Sequence, residues 1–301
     1  MSNVIDGRLI ADELTEQLHR TRARLPRQSP CGLATVLVGE DQSAAAYRRR
    51  IAVLAAVVGV DHHAVTLSNN ATHDDVVVEI RRLNADPGVA GILMLRPLPT
   101  HLDEASIFRE LTPVKDVEAV HPNNAGLLAL GQPRYVPSTA ASVFHVLDRW
   151  LERSGVDPRS FYHRAHIVAV GRSNNVGKPV VSLAYDRQAS VTSVDRWASE
   201  SGMLGWHTRR ADVLVVAAGV PNLIRAEHVR AGAIVLDVGI NFIRTAGGGA
   251  HLIGDVAFDE VAPRTSAITP VPGGIGPVTD VWLLHNTLLA SGHLTRSVRA
   301  A

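Results

Sequence analysis

"IVAVGRSNNVGKP" (residues 167–179) decides how this chain is to be read. An apolar run of strand length ends at Gly171, and a stretch able to form a helix opens near Gly177. A glycine after a strand permits a tight turn, and a second one lets the helix start come close to the sheet. Exposed N–H groups at a helix N-terminus attract phosphate. The G-x-G-x-x-G spacing is absent, so on pattern alone the segment is either a dinucleotide cradle or an ordinary strand–turn–helix. Its candidate cofactor residues are Gly171, Arg172, Ser173, Val176 and Gly177.

Working outward, "SVTSVD" (190–195), "DVLVVAAG" (212–219), "AIVLDVG" (233–239) and "SAITPVPGG" (266–274) are further short apolar runs ending in Gly, Asp or Pro. More polar segments of helix length separate most of them, as in a parallel α/β sheet. The strand ending at Asp195 is followed by Arg196. In a dinucleotide fold an acid there bonds a ribose 2′-OH and favours NAD, whereas an arginine favours a 2′-phosphate and NADP. Both are present, and Arg172 adds a second arginine, so the expectation leans to NADP. Asp195 alone would serve equally as a helix cap. "TPVPGGIGPVT" (269–279) is stiff at its prolines and open to close backbone approach at its glycines.

The first half reads similarly. "LATVLVG" (33–39) leads into "AAAYRRRIAVL" (44–54), and "GILML" (91–95) ends at Pro97-Leu98-Pro99. "STAASVFHVLDRWLERSG" (138–155) opens on a cap candidate and ends near Gly155, as a helix joining two lobes would. A cleft between such lobes is the default ligand site. If 43–58 is helical, Tyr47, Ile51, Leu54, Ala55 and Val58 share one face. Arg48, Arg49 and Arg50 fall off it and read as a solvated basic face, with an anion site as the alternative.

Composition narrows the class. The 301 residues are 46% apolar, enough for one large core or two modest ones. Thirty Lys plus Arg against 29 Asp plus Glu give no basic excess of the kind nucleic-acid binders show. The single cysteine, Cys31, excludes an intramolecular disulfide. "MSNVIDGRLIADEL" has no apolar signal core and no run suits a bilayer, so the expectation is a soluble, cytoplasmic protein without membrane contact. "LTRSVRAA" (294–301) reads as a frayed tail. The fourteen histidines show no zinc spacing, and His62-His63 reads as a solvated pair, so no metal is expected.

"GRSNNVGKP", "DVGIN" (237–241), "GDV" (254–256) and "TPVPGGIGPVT" occur in that order, preceded by "IDGRLIA" (5–11), Tyr47, "PLP" (97–99), "KDVE" (115–118) and "HPNNAG" (121–126). From Val4 to Thr287 the chain resembles the methylenetetrahydrofolate dehydrogenase/methenyltetrahydrofolate cyclohydrolase family. The resemblance implies a two-lobed α/β fold: an N-terminal α/β folate lobe (1–145, completed by a C-terminal helix 278–301) and a C-terminal Rossmann-like NAD(P) lobe with a parallel sheet (146–277). It implies an oxidoreductase of one-carbon metabolism, a folate substrate, NADP or NAD as cofactor, and a homodimer. It adds Ala218, Gly219, Gly239, Ile240 and Thr279 to the cofactor residues, and places Tyr47, Glu118, Pro272, Gly273 and Gly274 at the substrate.

The departures from the family pattern bear on mechanism. The family carries Tyr-x-x-x-Lys; here the lysine position is Ile51. Its Val-Gln-Leu-Pro-Leu-Pro becomes Met94-Leu95-Arg96-Pro97-Leu98-Pro99, so glutamine becomes Leu95. Its Lys-Asp-Val-Asp-Gly becomes Lys115-Asp116-Val117-Glu118-Ala119. Of its Pro-Cys-Thr-Pro-x-Gly only Pro137 and Thr139 match, and the small apolar residue after the last motif's threonine is Asp280. Lysine moves protons and stabilises negative charge; isoleucine does neither. The family's catalytic positions are thus Tyr47, Ile51, Leu95 and Glu118, and the expected activity is dehydrogenation with weak or absent cyclohydrolase. An oxidoreductase on another cyclic amine or imine, or a non-catalytic folate or nucleotide binder, stay open at this point.

Overall fold

Strands buried on both faces must be apolar throughout, and β1 (Gly32–Val38) and β3 (Val89–Met94) are buried at every position. They pair in parallel, with β2 (Asp61–Leu67) on the other side of β1, in the order β2-β1-β3. β2 is partly exposed along its length, as an edge strand is. Its sequence, DHHAVTL, gives no buried stripe, so periodicity does not single it out. His62, read as solvated, donates to or accepts from Thr35 Oγ1 at 2.9 Å, while His63 is exposed.

The computed structural model describes residues 4–26, 29–244 and 250–300. The chain divides into two compact units, Glu13–Ser138 with Asp280–Ala301, and Met1–Asp12 with Thr139–Thr279. The first holds most of α1 (Gly7–Arg24), α2 (Gln42–Val58), α3 (His73–Ala85), α4 (Glu104–Arg109) and α5 (Pro122–Ala129) around the three strands. α2 begins where the Asp41 side chain accepts from Ala44 N at 2.7 Å and stops at Gly59, whose φ of 84° is left-handed. α3 opens with a capping box between Thr72 and Asp75. Their inner faces bury Ile51, Ala55, Val58, Val76, Ile80 and Leu83.

The second unit begins with α6 (Ser138–Arg153) and α7 (Pro158–Tyr162). Five parallel strands follow: β4 (His166–Val170), β5 (Ser190–Val194), β6 (Val213–Val216), β7 (Ile234–Asp237) and β10 (Ala267–Ile268), in the order β10-β7-β6-β4-β5. Each apolar run singled out in this half is one of these strands. α8 (Gly177–Asp186), α9 (Arg196–Glu200), α10 (Leu204–Thr208) and α11 (Phe258–Val261) intervene, with an antiparallel hairpin of β8 (Asn241–Arg244) and β9 (Ala250–Ile253). The strand order reverses between β4 and β6, and open α/β sheets bind ligands at the carboxyl ends of such strands.

The compact units differ from the expected lobe bounds at two places. The first residues group with the Rossmann-like unit because Ile5 N donates to Ile268 O at 2.8 Å and Gly7 N to Gly273 O at 2.9 Å. The boundary expected after 145 lies inside α6, and the division falls at its first turn. The tail expected to fray continues α12 (Ile275–Ala300); Ala301 lies outside the described residues. Within the first unit, Asn286 of α12 is buried and donates to Val117 O and Val136 O, each at 2.8 Å. Among the described residues no helix is long and apolar enough to cross a membrane.

Ala119, where the family motif has glycine, is buried with φ 54°. A Cβ in the left-handed region costs roughly 1–2 kcal/mol. Ala119→Gly is therefore expected to raise the unfolding free energy by about 1 kcal/mol after glycine's extra chain entropy is counted, measured by urea denaturation.

Candidate active site

In the first unit, Tyr47 stands on α2 and Glu118 on the segment after β3. Both are half-buried as residues, but Glu118 Oε1 is sealed from solvent and has no hydrogen-bond partner. Buried carboxylate oxygens are nearly always satisfied, so this unpaired one is a candidate contact for a ligand donor. Burial pushes the Glu118 carboxyl up to about 7; the Ser138 hydroxyl and N–H and the Arg96 charge pull against this, while Asp116 adds to it. Burial, then the charges of Glu118 and Asp280, holds the Tyr47 phenol well above its ordinary value, so it stays a neutral donor.

Ile51 is fully buried and Leu95 is 2% exposed. Neither offers a polar atom. Arg96, next in sequence, is partly exposed, pairs with Glu104 at 3.3 Å and lies 4.8 Å from the Phe108 ring centroid. The basic run is not uniformly solvated, which corrects the sequence reading. Arg49 is exposed, and Arg48 donates to Val65 O and Thr66 Oγ1. Arg50 donates through Nε to Asp280 Oδ2 at 2.7 Å, and its guanidinium carbon lies 5.2 Å from the Tyr47 ring centroid. Helical spacing places Arg50 off the apolar stripe but says nothing of a partner 230 residues away.

In the second unit, Gly171 has φ 109°, and a Cβ there would lie 2.1 Å from Ala217 O. A Cβ on Gly177 would lie 2.0 Å from Gly171 O. Both glycines are therefore imposed by close backbone packing at the strand reversal, where the ends of β4 and β6 meet the start of α8. Val176 is the N-cap of α8, and Ser173 Oγ accepts from Val176 N and Gly177 N. Arg172 donates to Asp195 Oδ2 at 2.8 Å and to Ser193 O at 2.7 Å. Asp195 also caps α9 through Trp197 N. Arg196 is mostly exposed and lies over the Trp197 ring. An open pocket is lined by Arg172, Asp195, Trp197, Met203 and His207.

Two acids without an assigned role in the sequence reading order the loops beside this cradle. Asp255 Oδ2 accepts from Ala218 N and Gly219 N, and its Oδ1 from Asn241 Nδ2. Asp237 accepts from the N–H groups of Gly239, Asp255 and Val256. Gly239 has no room for a Cβ, which would lie 2.3 Å from the Asp255 carboxyl. Ile240 is 60% exposed, and the Thr279 hydroxyl donates to Ile275 O within α12. Pro272, Gly273 and Gly274 belong to this unit; Gly273 has φ 106°, and Gly274 packs against Pro270. Among the described residues no group of His, Cys, Asp or Glu is arranged to hold a metal.

A parallel sheet reversing at a glycine cradle, with Arg172 in the turn paired to Asp195 at the end of the next strand, defines a Rossmann-type dinucleotide-binding protein. The partner unit sets a sealed carboxylate beside a tyrosine. The family description "Tetrahydrofolate dehydrogenase/cyclohydrolase, catalytic domain" matches residues 5–118, and its "NAD(P)-binding domain" matches 137–294. The chain belongs to the tetrahydrofolate dehydrogenase/cyclohydrolase family. It is 53% identical to Bifunctional protein FolD 3 of Rubrobacter xylanophilus over 99% of this chain and 95% of that one. It is 41% identical to Bifunctional protein FolD of Acidiphilium cryptum, over 96% and 98%. Among solved structures it resembles the bifunctional FolD enzyme of Campylobacter jejuni (TM-score 0.88, 32% identity, 97% and 99% covered). It equally resembles Trypanosoma brucei FolD, complexed with NADP and an inhibitor (TM-score 0.88, 34% identity, 99% of each chain).

Two outcomes follow from this geometry. The folded Glu118 carboxyl titrates above its ordinary value of 4.5, so it destabilises the ligand-free fold as pH rises from there through about 7. Glu118→Gln lacks that loss, so its urea midpoint relative to the parent is expected to climb between those pH values. In the other unit, Asp195→Ala frees Arg172. Calorimetry should show NADP binding tighter by roughly tenfold, the scale of one charge-assisted contact; a loss confined to NAD would instead make Asp195 a ribose ligand.

Proposed function

We propose that this chain is an NAD(P)-dependent 5,10-methylenetetrahydrofolate dehydrogenase whose cyclohydrolase step is weak or absent. The observation that carries the reading is the orphan oxygen of Glu118 beside Tyr47, with apolar Ile51 and Leu95 at the positions of the motif's lysine and glutamine. The Glu118 oxygen suits the amino and N3 protons of a pterin, and such donors favour its charged form. Glutamate reaches one methylene further than the motif's aspartate. Tyr47, neutral, offers a ring face and a donor.

The residues of the second unit fit a dinucleotide. Gly171 and Gly177 let the turn after β4 pack backbone against backbone at the start of α8, and Arg172, Ser173 and the α8 N-terminus would hold the diphosphate. Arg172, Asp195 and Arg196 would meet the adenosine ribose and choose NADP or NAD. Ala218, Gly219, Gly239, Ile240 and Thr279 complete the proposed cofactor set, and Pro272, Gly273 and Gly274 the substrate set. When bound, the nicotinamide supplies the hydride acceptor. The protein's part in that step is to position the donor carbon, which needs no acid or base.

Hydrolysis of the methenyl product asks more: a water must be oriented and protons moved. The printed names of the relatives, bifunctional at up to 53% identity, favour a second reading in which hydrolysis persists. A homodimer in the cytoplasm remains the expectation from the family.

Mixing the protein with methylenetetrahydrofolate and each nicotinamide separates the readings. Reduced cofactor should form while methenyl product accumulates. General acid–base help is worth about a hundred to ten-thousand-fold, so its loss should part the two activities. Ile51→Lys alone should recover little, because its ammonium would be desolvated beside Leu95's unaltered apolar environment. Ile51→Lys with Leu95→Gln should recover more than the two single changes combined. Clearance of methenyl product by the parent above the uncatalysed rate establishes the second reading.

A further inference from the structure

The position after the last family motif carries a carboxylate, Asp280, in place of a small apolar residue, and the fold gives that carboxylate a specific partner. The Asp280 side chain is 11% exposed, whereas Arg50 is 62% exposed. Arg50 Nε donates to one Asp280 oxygen at 2.7 Å and Nη2 to the other at 3.4 Å. The same guanidinium lies over the ring of Tyr47, three residues earlier on α2 and so its neighbour on the helix surface. One cation therefore joins a shielded acid on α12 to the aromatic ring on α2.

An exposed arginine gains little from an exposed partner. This pair is different because one member is withdrawn from water. Without Arg50, Asp280 would be a shielded negative charge with the Tyr47 phenol as its titratable neighbour. The acid holds the guanidinium, and the held guanidinium fixes the ring. Arginine's planar fork can face a carboxylate and a ring at once; lysine's point charge cannot. Arginine is also never neutral, so the arrangement orients and does not transfer protons.

We propose that Arg50 and Asp280 are a positioning pair for Tyr47, setting the ring for contact with the bicyclic ring system of a reduced folate. This rests on the folate reading above. The cation that the family motif carries four residues after the tyrosine stands here three residues after it, tied to an acid, and its task becomes substrate alignment.

The test uses the full-length protein with Arg50→Lys, Asp280→Asn and the double variant. It reads KM and kcat for methylenetetrahydrofolate, KM for the nicotinamide, the thermal midpoint, and calorimetric binding of tetrahydrofolate. Each single variant should raise the folate KM and Kd about tenfold, with the nicotinamide KM unchanged, and the double variant should lose no more than either, as coupled residues do. An unchanged folate KM and Kd with a lowered thermal midpoint would overturn the proposal, leaving only a tie between helices. Should Asp280→Asn fail to fold, Arg50→Lys, a change at an exposed side chain, decides alone by the same readouts. A parent that reduces no cofactor with methylenetetrahydrofolate overturns the folate dehydrogenase reading instead, and tetrahydrofolate binding then still judges the pair.

Discussion

The segment 114–118 has no regular secondary structure, yet the first unit is organised around it. The carbonyl of Val114 accepts from the Tyr135 hydroxyl. Lys115 is buried and its ammonium donates to Leu83 O and Asp86 O, carbonyls at the C-terminal end of α3, where a cation also suits the helix dipole. Asp116, with no exposure, accepts from Val120 N, His121 N and Asn124 Nδ2, and so orders the entry to α5. Val117 O takes the amide of Asn286 from α12. Each polar group in the run is claimed by a different element, and a lost partner would leave buried donors or acceptors unmet at about 1–3 kcal/mol each. Glu118, at the end of the run, inherits a fixed backbone and keeps one oxygen unclaimed. The constraint that builds the unit thus also sets the place of the Glu118 carboxylate.

The second unit solves a similar problem with acids alone. The loops after β6 and β7 leave the sheet, which leaves N–H groups without a ladder. Asp237 and Asp255 collect six such donors between them, counting the Asn241 amide. Burial holds Asp237 up to about 7 in spite of three bonds that favour its charge. Charge is tolerated here only because the loops converge on it, and the loops converge only because the charge is there.

What could be read from the sequence follows from what periodicity records. Buried strands announce themselves as apolar runs, so β1, β3, β6 and β7 were legible, while the half-exposed edge strand β5 was read from its valines and its closing Asp195. β2 was not, because an edge strand with histidines and threonine has no buried stripe to display. The glycine cradle was visible as Gly171 and Gly177, though its cause, contact with Ala217 O and Gly171 O, was not. At the candidate site the spacing put Tyr47 and Ile51 on one face and dismissed the arginines. Arg50 earns its place from Asp280, and Glu118 acquires its character from Ser138 and from sealing by its surroundings. Such pairings depend on which segments meet, and no local pattern encodes that.

The dependence of Val117 on Asn286 has a temporal side. The two residues are 169 positions apart, so at roughly 5–20 residues per second a ribosome adds Asn286 about 8 to 34 s after Val117. During that interval the Val117 and Val136 carbonyls lack their amide and the surface destined to meet α12 is bare. The intervening 139–279 stretch, by contrast, includes every strand of its own sheet. The nascent chain is therefore expected to finish in reverse order: the later unit matures first, and the earlier one waits for the C-terminus, exposed meanwhile to chaperones and proteases that the completed molecule never meets in that form.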